Sequence, residues 1–496
     1  MQSHHPDHRS ILVNIAHQAM LAHGFLPDYS PQVQAEVDQI QGSWDIGSNA
    51  TIHDQRNFLW ASIDNDDSRD LDQLTTAEAM PDGKWKIFVA IADVDSYVKK
   101  GSAINEHARH NTTTVYTPAR IFSMLPERLS TDLTSLNLNL DRTAIVIKMV
   151  IAQDGSITSS SIYQARVRNH ARLAYNRTAA WLENRTEMPE DIAAVPGLAE
   201  SLRMQDQAAR HMKNIRHLNG ALSLETIQAR PSFDGDQIRS LEVDEPNRAK
   251  EIIEDFMIGA NGVTARFLSA NGFPSIRRVV RKPKRWERIV EIAADHMVKL
   301  PDSPDSKALE EFLVKQKATD PIRFPDLSLA VIKLMGAGEY MAEPPEGQVP
   351  GHFGLAVKDY SHSTAPNRRF PDLITQRLIK AALDGKPVPY PMDELNSLAI
   401  HFSTAEDEAK KVERQVEKSA AALLLESRIG EKFDALVTGA SEKGTWVRLL
   451  TIPVEGKLVE GFKGLDVGDR LRVELVDTNI ERGYIDFKKI RASKRK

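Results

Sequence analysis

The sequence predicts an α+β fold in which a mixed sheet packed with helices precedes a small C-terminal β-barrel. Three observations carry this. Strand-like apolar runs cluster between about 50 and 175, helical periodicity dominates from there to about 430, and short strands separated by turns fill 431–490.

Taken in order, residues 1–49 read as a helical segment, too small to be a domain by itself. One amphipathic helix spans Ser10–His23, a turn follows at Gly24–Pro31, and a second helix starts after Ser30 with Pro31 at its first position. Lys84–Val94 (KWKIFVAIADV) and Ala144–Ala152 (AIVIKMVIA) are strands, the second closed by the turn Asp154–Gly155. Helical patterns dominate 176–275, with Arg248–Phe267 as an example. His401–Ile429 reads as one long helix, with Ser403 and Glu406 as a capping box at its start and Gly430 just past its end. Phe433–Thr438, Gly444–Leu450, Arg470–Val476 and Tyr484–Lys489 have the spacing of a small five-stranded barrel. The tail 491–496 holds four basic groups and frays.

Composition removes several classes of function. The 496 residues contain no cysteine, which excludes a disulfide framework, a disulfide-linked partner, thiolate metal sites and a cysteine nucleophile. The absence of cysteine also fits a reducing, cytoplasmic compartment. No basic head followed by an apolar core opens the chain, and no run is apolar enough to span a membrane. The formal net charge of −5 argues weakly against a nucleic-acid partner, but local stripes of charge decide that question.

Ser62–Gln73 reads SIDNDDSRDLDQ, with five Asp (64, 66, 67, 70 and 72) inside nine residues. Carboxylates packed this closely repel one another unless a cation neutralises them. Hard divalent ions take such oxygen ligands, with water and phosphate completing the shell. A solvated acidic loop is the plain alternative, and an EF-hand is excluded because its central Gly and closing Glu are missing.

The blocks around this run resolve it. Ser62–Gln73, Val89–Val98 (VAIADVDSYV), Gly101–Ser102, Val115–Pro118 (VYTP) and Met124–Leu136 are followed by Ile252–Asn261 (IIEDFMIGAN) and His352–Leu378 (HFGLAVKDYSHSTAPNRRFPDLITQRL). In this order they resemble the RNB catalytic domain of the ribonuclease II and ribonuclease R family, over roughly 50–430. The resemblance implies a 3′-to-5′ exoribonuclease acting on single-stranded RNA. Two divalent ions, Mg²⁺ with Mn²⁺ as the alternative, would assist attack of water and release nucleoside 5′-monophosphates. Such an enzyme serves RNA decay or the trimming of 3′ ends, including those of tRNA precursors.

Residue by residue, Asp64, Asp70 and Asp72 fall on the first three acidic positions of the family motif, and the fourth falls on Gln73. An amide oxygen can coordinate Mg²⁺ but brings no charge. Arg368, in APNRRFPD, matches the arginine that grips the scissile phosphate, and Arg369 stands beside it. The plainer reading of Arg368 is an ion pair with Asp372. Ala365, Asn367 and Phe370 depart from the usual Ser-Pro-Ile-Arg-Arg-Tyr, and none removes the guanidinium. Tyr116 matches an aromatic that stacks on the 3′-terminal base, and Glu254 an acid that contacts the terminal ribose. Their plain alternatives are a core tyrosine and a helix-surface acid. Asp93 and Asp95 either support the metal site or cap a strand. The basic run Arg277–Arg285 (RRVVRKPKR) either lines an RNA path or faces solvent.

Residues 431–490 resemble the OB-fold RNA-binding barrel of the ribosomal S-one type, with Phe433, Trp446 and Phe462 as candidate stacking residues. In the family, cold-shock barrels precede the catalytic domain. Here fewer than 50 residues precede the matched region and they read as helical, so no cold-shock barrel fits there. Two further readings stay open: a catalytically inactive RNA-binding homologue, and a phosphodiesterase acting on small nucleotides.

Overall fold

The computed structural model describes residues 7–40, 52–227, 229–243, 245–441 and 444–490. It begins with α1 (His8–Ala22) and α2 (Pro31–Gln39). Asp7 and Ser30 cap them, each side chain accepting backbone N–H groups of the first turn, and Pro31 sits where its missing donor is harmless.

The strands β1 (His53–Asp54), β2 (Ala61–Asp64), β3 (Gln73–Ala79) and β4 (Trp85–Ala92) come next. Then follow α3 (Ala103–Asn111) and the short hairpin β5 (Val115–Tyr116) and β6 (Ile121–Phe122). With β7 (Asp141–Ile151), β8 (Ile157–Arg168) and β9 (Ala171–Ala174), a seven-stranded sheet forms in the order β1-β8-β7-β4-β3-β2-β9. The pairs β1–β8 and β2–β9 are parallel and the rest antiparallel, so the sheet is mixed as expected. Its middle strand β4 is almost continuously apolar because both of its faces are covered. Asp64 closes β2 and Gln73 opens β3, so the acidic run is the connection between two neighbouring strands.

Helices α4 (Tyr175–Leu182), α5 (Glu190–Ala193) and α6 (Leu198–Leu218) lead to β10 (Ala229–Asp234) and β11 (Gln237–Val243), and then to α7 (Arg248–Ala270). Helices dominate 176–275 as expected, but β10 and β11 interrupt them with an antiparallel hairpin around Gly235, whose φ is +59°. Asp234–Gly235 is a hairpin signal that the flanking helical periodicity masks.

Next come β12 (Ser275–Val279), α8 (Trp286–Asp295), α9 (Ser306–Thr319), α10 (Phe324–Met335), β13 (Glu339–Glu343), α11 (Phe370–Leu383) and α12 (Met392–Leu425). The long helix α12 starts nine residues before the expected His401 and ends at Leu425, with a single 3₁₀ turn before Gly430. Ser403 is therefore no cap. It lies inside the helix, donates to the Ala399 carbonyl at 2.9 Å and accepts the Tyr340 N–H at 2.8 Å. The actual start follows Pro391 and carries Asp393 and Glu394, acids that suit the positive end of a helix.

The basic run is also corrected. Arg277 and Arg278 are buried on β12, where Arg277 pairs with Glu343 and Arg278 grips Glu406 with both Nη groups, at 2.7 and 2.9 Å. Arg281 pairs with Glu339. Arg277 and Arg278 thus hold elements together from inside, which leaves Arg281, Lys282, Lys284 and Arg285 as the exposed bases of the run.

The C-terminal strands β14 (Lys432–Ser441), β15 (Gly444–Leu449), β16 (Glu455–Glu460), β17 (Arg470–Asn479) and β18 (Tyr484–Ile490) close a barrel in the order β14-β15-β16-β18-β17. Phe433 packs against Phe487 in its core, so the stacking role is withdrawn for Phe433; Phe462 is exposed and Trp446 half-buried. At Gly456 a Cβ would stand 2.5 Å from the Ile485 carbonyl oxygen, and only glycine lets β16 lie that close to β18. The tail 491–496 lies outside the described residues.

One buried network fixes α11 against the sheet. Arg377, 5 % exposed, donates to Asp95 Oδ1 (3.0 Å), Asn105 Oδ1 (2.8 Å), Tyr390 Oη (2.6 Å) and the Val98 carbonyl (2.6 Å). Lys380 pairs with Asp93 and Asp95 at 2.9 and 3.1 Å. Asp93 and Asp95 thus latch the end of β4 to α11. Removing Arg377 leaves buried acceptors unpaired, and a broken buried pair costs about 3–5 kcal/mol. Arg377→Leu is expected to lower the unfolding free energy by that order in urea titration, and Arg377→Lys to recover only a fraction, because an ammonium cannot reach all four acceptors.

Candidate active site

The acidic run is held from both sides. Leu71 and Leu74 are buried in the core, the Leu71 N–H donates to Ser135 Oγ (2.9 Å), and the Ala92 N–H donates to the Asp72 carbonyl (2.9 Å). Arg172 donates to the Ser68 carbonyl at 2.5 Å and closes the loop from outside. This backbone turns Asp64, Asp70, Asp72 and Gln73 toward one cleft of about 1360 Å³ and leaves Asp66 exposed.

Asp72 is 2 % exposed and has two partners from the turn before α11: the Asn367 N–H reaches Oδ1 at 2.9 Å, and Arg368 Nε reaches Oδ2 at 3.1 Å. The plainer alternative for Arg368, an ion pair with Asp372, does not form: Arg369 makes that contact, at 2.8 Å, to a fully buried carboxylate. Arg369 is therefore structural in this geometry and does not line the cleft. Arg368 does line it; its side chain stays 41 % exposed, which leaves donors facing the opening.

On the other side, Gln73 Nε2 donates to Asp64 Oδ1 at 3.4 Å, while Asp64 Oδ2 is buried without a hydrogen-bond partner. Burial pushes the Asp64 and Asp72 carboxyls up to about 7; the charge of Asp70 adds to the shift and Arg368 opposes it. Tyr116 hangs over this centre, with its hydroxyl donating to Asp70 Oδ2 (3.1 Å) and its N–H donating to Glu413 Oε1 (2.9 Å). Glu254 stands exposed on α7 and is not among the residues that line the cleft.

Among the described residues, no three His, Cys, Asp or Glu side chains are drawn together into a ready metal centre. The donor set nevertheless fits a hard divalent cation. Asp64 has an orphaned oxygen, two carboxyls are held in an unfavourable burial, and all three Asp face one opening.

Sequence reasoning missed Glu413 of α12, Tyr29, Arg120 and Tyr175, all of which line the cleft. Glu413 meets Tyr116 across 297 positions, and no local pattern signals such a contact.

The RNB domain model matches residues 52–385, and the C-terminal S1 domain of RNase II-type exonucleases matches 431–490. The chain belongs to the ribonuclease II and ribonuclease R family. Within that family it is 30 % identical to ribonuclease R of Aquifex aeolicus over 493 residues, covering 93 % of this chain and 68 % of that protein. Ribonuclease R of Escherichia coli is 29 % identical over 472 residues, 88 % of this chain and 57 % of that one. The apo form of Mycoplasma genitalium RNase R superposes with a TM-score of 0.86 at 23 % identity, covering 97 % of this chain and 78 % of that one. That RNase R has also been solved with ribose-methylated single-stranded RNA and with double-stranded RNA. This chain thus spans between 57 % and 68 % of the two ribonuclease R sequences. No helix among the described residues is long and apolar enough to cross a membrane.

The raised carboxyls have a signed consequence for this family member. Unfolded Asp titrates near 3.9, whereas Asp64 and Asp72 in the fold titrate at about 7, so between those values the native state binds more protons. Stability of the metal-free protein then falls as pH rises through that window. A cation needs the deprotonated form, so its stabilisation grows in the same direction. The melting midpoint in EDTA is expected to fall from pH 5 to pH 8, and Mg²⁺ to raise it more at pH 8 than at pH 6. An Mg²⁺ increment equal at both pH values would contradict the burial of these acids.

Proposed function

We propose that this chain hydrolyses single-stranded RNA from its 3′ end, releasing nucleoside 5′-monophosphates with Mg²⁺ or Mn²⁺ assistance, as a cytoplasmic enzyme of RNA decay or 3′-end trimming. One observation carries the reading. Asp64, Asp70, Asp72, Arg368 and Tyr116 come from three separate stretches of chain and meet at one cleft.

Each group has work there that its geometry suits. Tyr116 offers an aromatic face at the cleft, on which a terminal base of any identity can stack. Arg368 is oriented by Asp72 and keeps donors for a phosphate and for the charge that develops on it. Asp64, Asp70 and Asp72 would hold the divalent ions, which when bound supply an activated water and neutralise the attacking and leaving oxygens.

A second reading, an RNA-binding protein without catalysis, is favoured by Gln73, which brings no charge to the fourth acidic position. A single assay separates the readings. With 5′-labelled single-stranded RNA, a ladder that depends on Mg²⁺ or Mn²⁺ is expected, absent in Asp72→Asn and slowed by about 10²–10³ in Arg368→Ala. Tyr116→Ala is expected to weaken RNA binding by about 1–3 kcal/mol. Tight binding with no shortening in either metal would sink the nuclease and leave the binder. Cleavage of dinucleotides alone would favour a small-nucleotide phosphodiesterase.

A further inference from the structure

Gln73 is the neutral member of an otherwise acidic constellation, and its contacts show the effect. Its side chain is buried, lines the cleft, and donates to Asp64 Oδ1 at 3.4 Å. A carboxylate at 73 would put a like charge into that contact, and the pair would need a cation to stay together. The amide turns the repulsion into a hydrogen bond, so this side of the site holds without an ion.

The rest of the cleft works in the same direction. Asp72 is already met by Arg368 and by the Asn367 N–H, which lowers its demand for a second cation. Among the described residues that line the cleft, Asp64 Oδ2 is left buried and unpartnered. Ion affinity at oxygen sites follows the number of charged ligands, and this site is one short. A phosphate of bound RNA carries the missing charge and brings further oxygens.

We propose that Gln73 makes the ion complement of this site depend on RNA: one divalent ion binds the free protein, and a second is retained only when an RNA phosphate supplies the charge that residue 73 lacks. This rests on reading the cleft as the seat of an RNA 3′ end. Because coupling is reciprocal, RNA tightens the second ion and that ion tightens RNA by the same factor.

The test counts Mn²⁺ per chain by electron paramagnetic resonance and calorimetry. It compares the unaltered protein with Gln73→Asp and Gln73→Glu, each with and without a short RNA whose last linkage is a phosphorothioate. The unaltered protein is expected to hold one Mn²⁺ alone and two with RNA. Either variant is expected to hold two without RNA, the second bound about tenfold tighter or more, and to melt lower than the parent when metal-free. Two ions in the unaltered protein without RNA, or unchanged counts in both variants, would overturn the proposal. A variant that is unfolded in EDTA and folds on adding Mn²⁺ supports it, whereas one that stays unfolded in Mn²⁺ contradicts it. If the counts follow this pattern while labelled RNA stays uncut, the nuclease reading fails and this one stands; a ladder with invariant counts does the reverse.

Discussion

A buried carboxylate with two partners organises this molecule. Asp72 sits just ahead of β3, and its oxygens take the Asn367 N–H and Arg368 Nε from the turn that starts α11. Burying the charge of Asp72 is unfavourable unless something positive meets it, so the turn before α11 is held where Arg368 can do so. The other end of the same junction is latched independently, by Arg377 and Lys380 on Asp93 and Asp95. Between these two ties the sheet and α11 have little freedom to slide, and Arg368 inherits that rigidity. In the proposed reaction that rigidity would matter, because a guanidinium already aimed at a phosphate needs no reorganisation.

The acids of the site were legible because charge density is a local property: five Asp in nine residues stand out without any structure. Arg368 was legible only through the motif around it, since by itself it looked like a partner for Asp372. Its neighbour Arg369 turned out to hold that place. Regular periodicity revealed α1, α2, β4, β7 and four of the five barrel strands, all but β16, where one face or both are plainly apolar.

What sequence could not reveal was long-range or partly polar. The hairpin β10–β11 carries few buried side chains, so its alternation is faint. The start of α12 was misplaced because Ser403 and Glu406 imitate a cap while bonding to β13 and to Arg278 instead. The basic run looked like an RNA-facing stripe, yet two of its arginines are interior and matched to acids distant in sequence. Burial of a charge depends on what the fold brings opposite it, and a run of bases carries no information about that.

The neutral Gln73 bears on chemistry more than on architecture, because Asp72 with Arg368 and Asn367, and not residue 73, ties the sheet to α11. The proposed reaction is a hydrolysis, in which water activated beside these carboxylates would end on the phosphate of the released nucleotide. Digestion of single-stranded RNA in H₂¹⁸O with Mg²⁺ or Mn²⁺, followed by mass spectrometry of the nucleotides, tests it most directly. Nucleoside 5′-monophosphates carrying one ¹⁸O on phosphorus are the predicted result; cyclic phosphates, 3′-phosphates, unlabelled monophosphates or no nucleotide at all would contradict it.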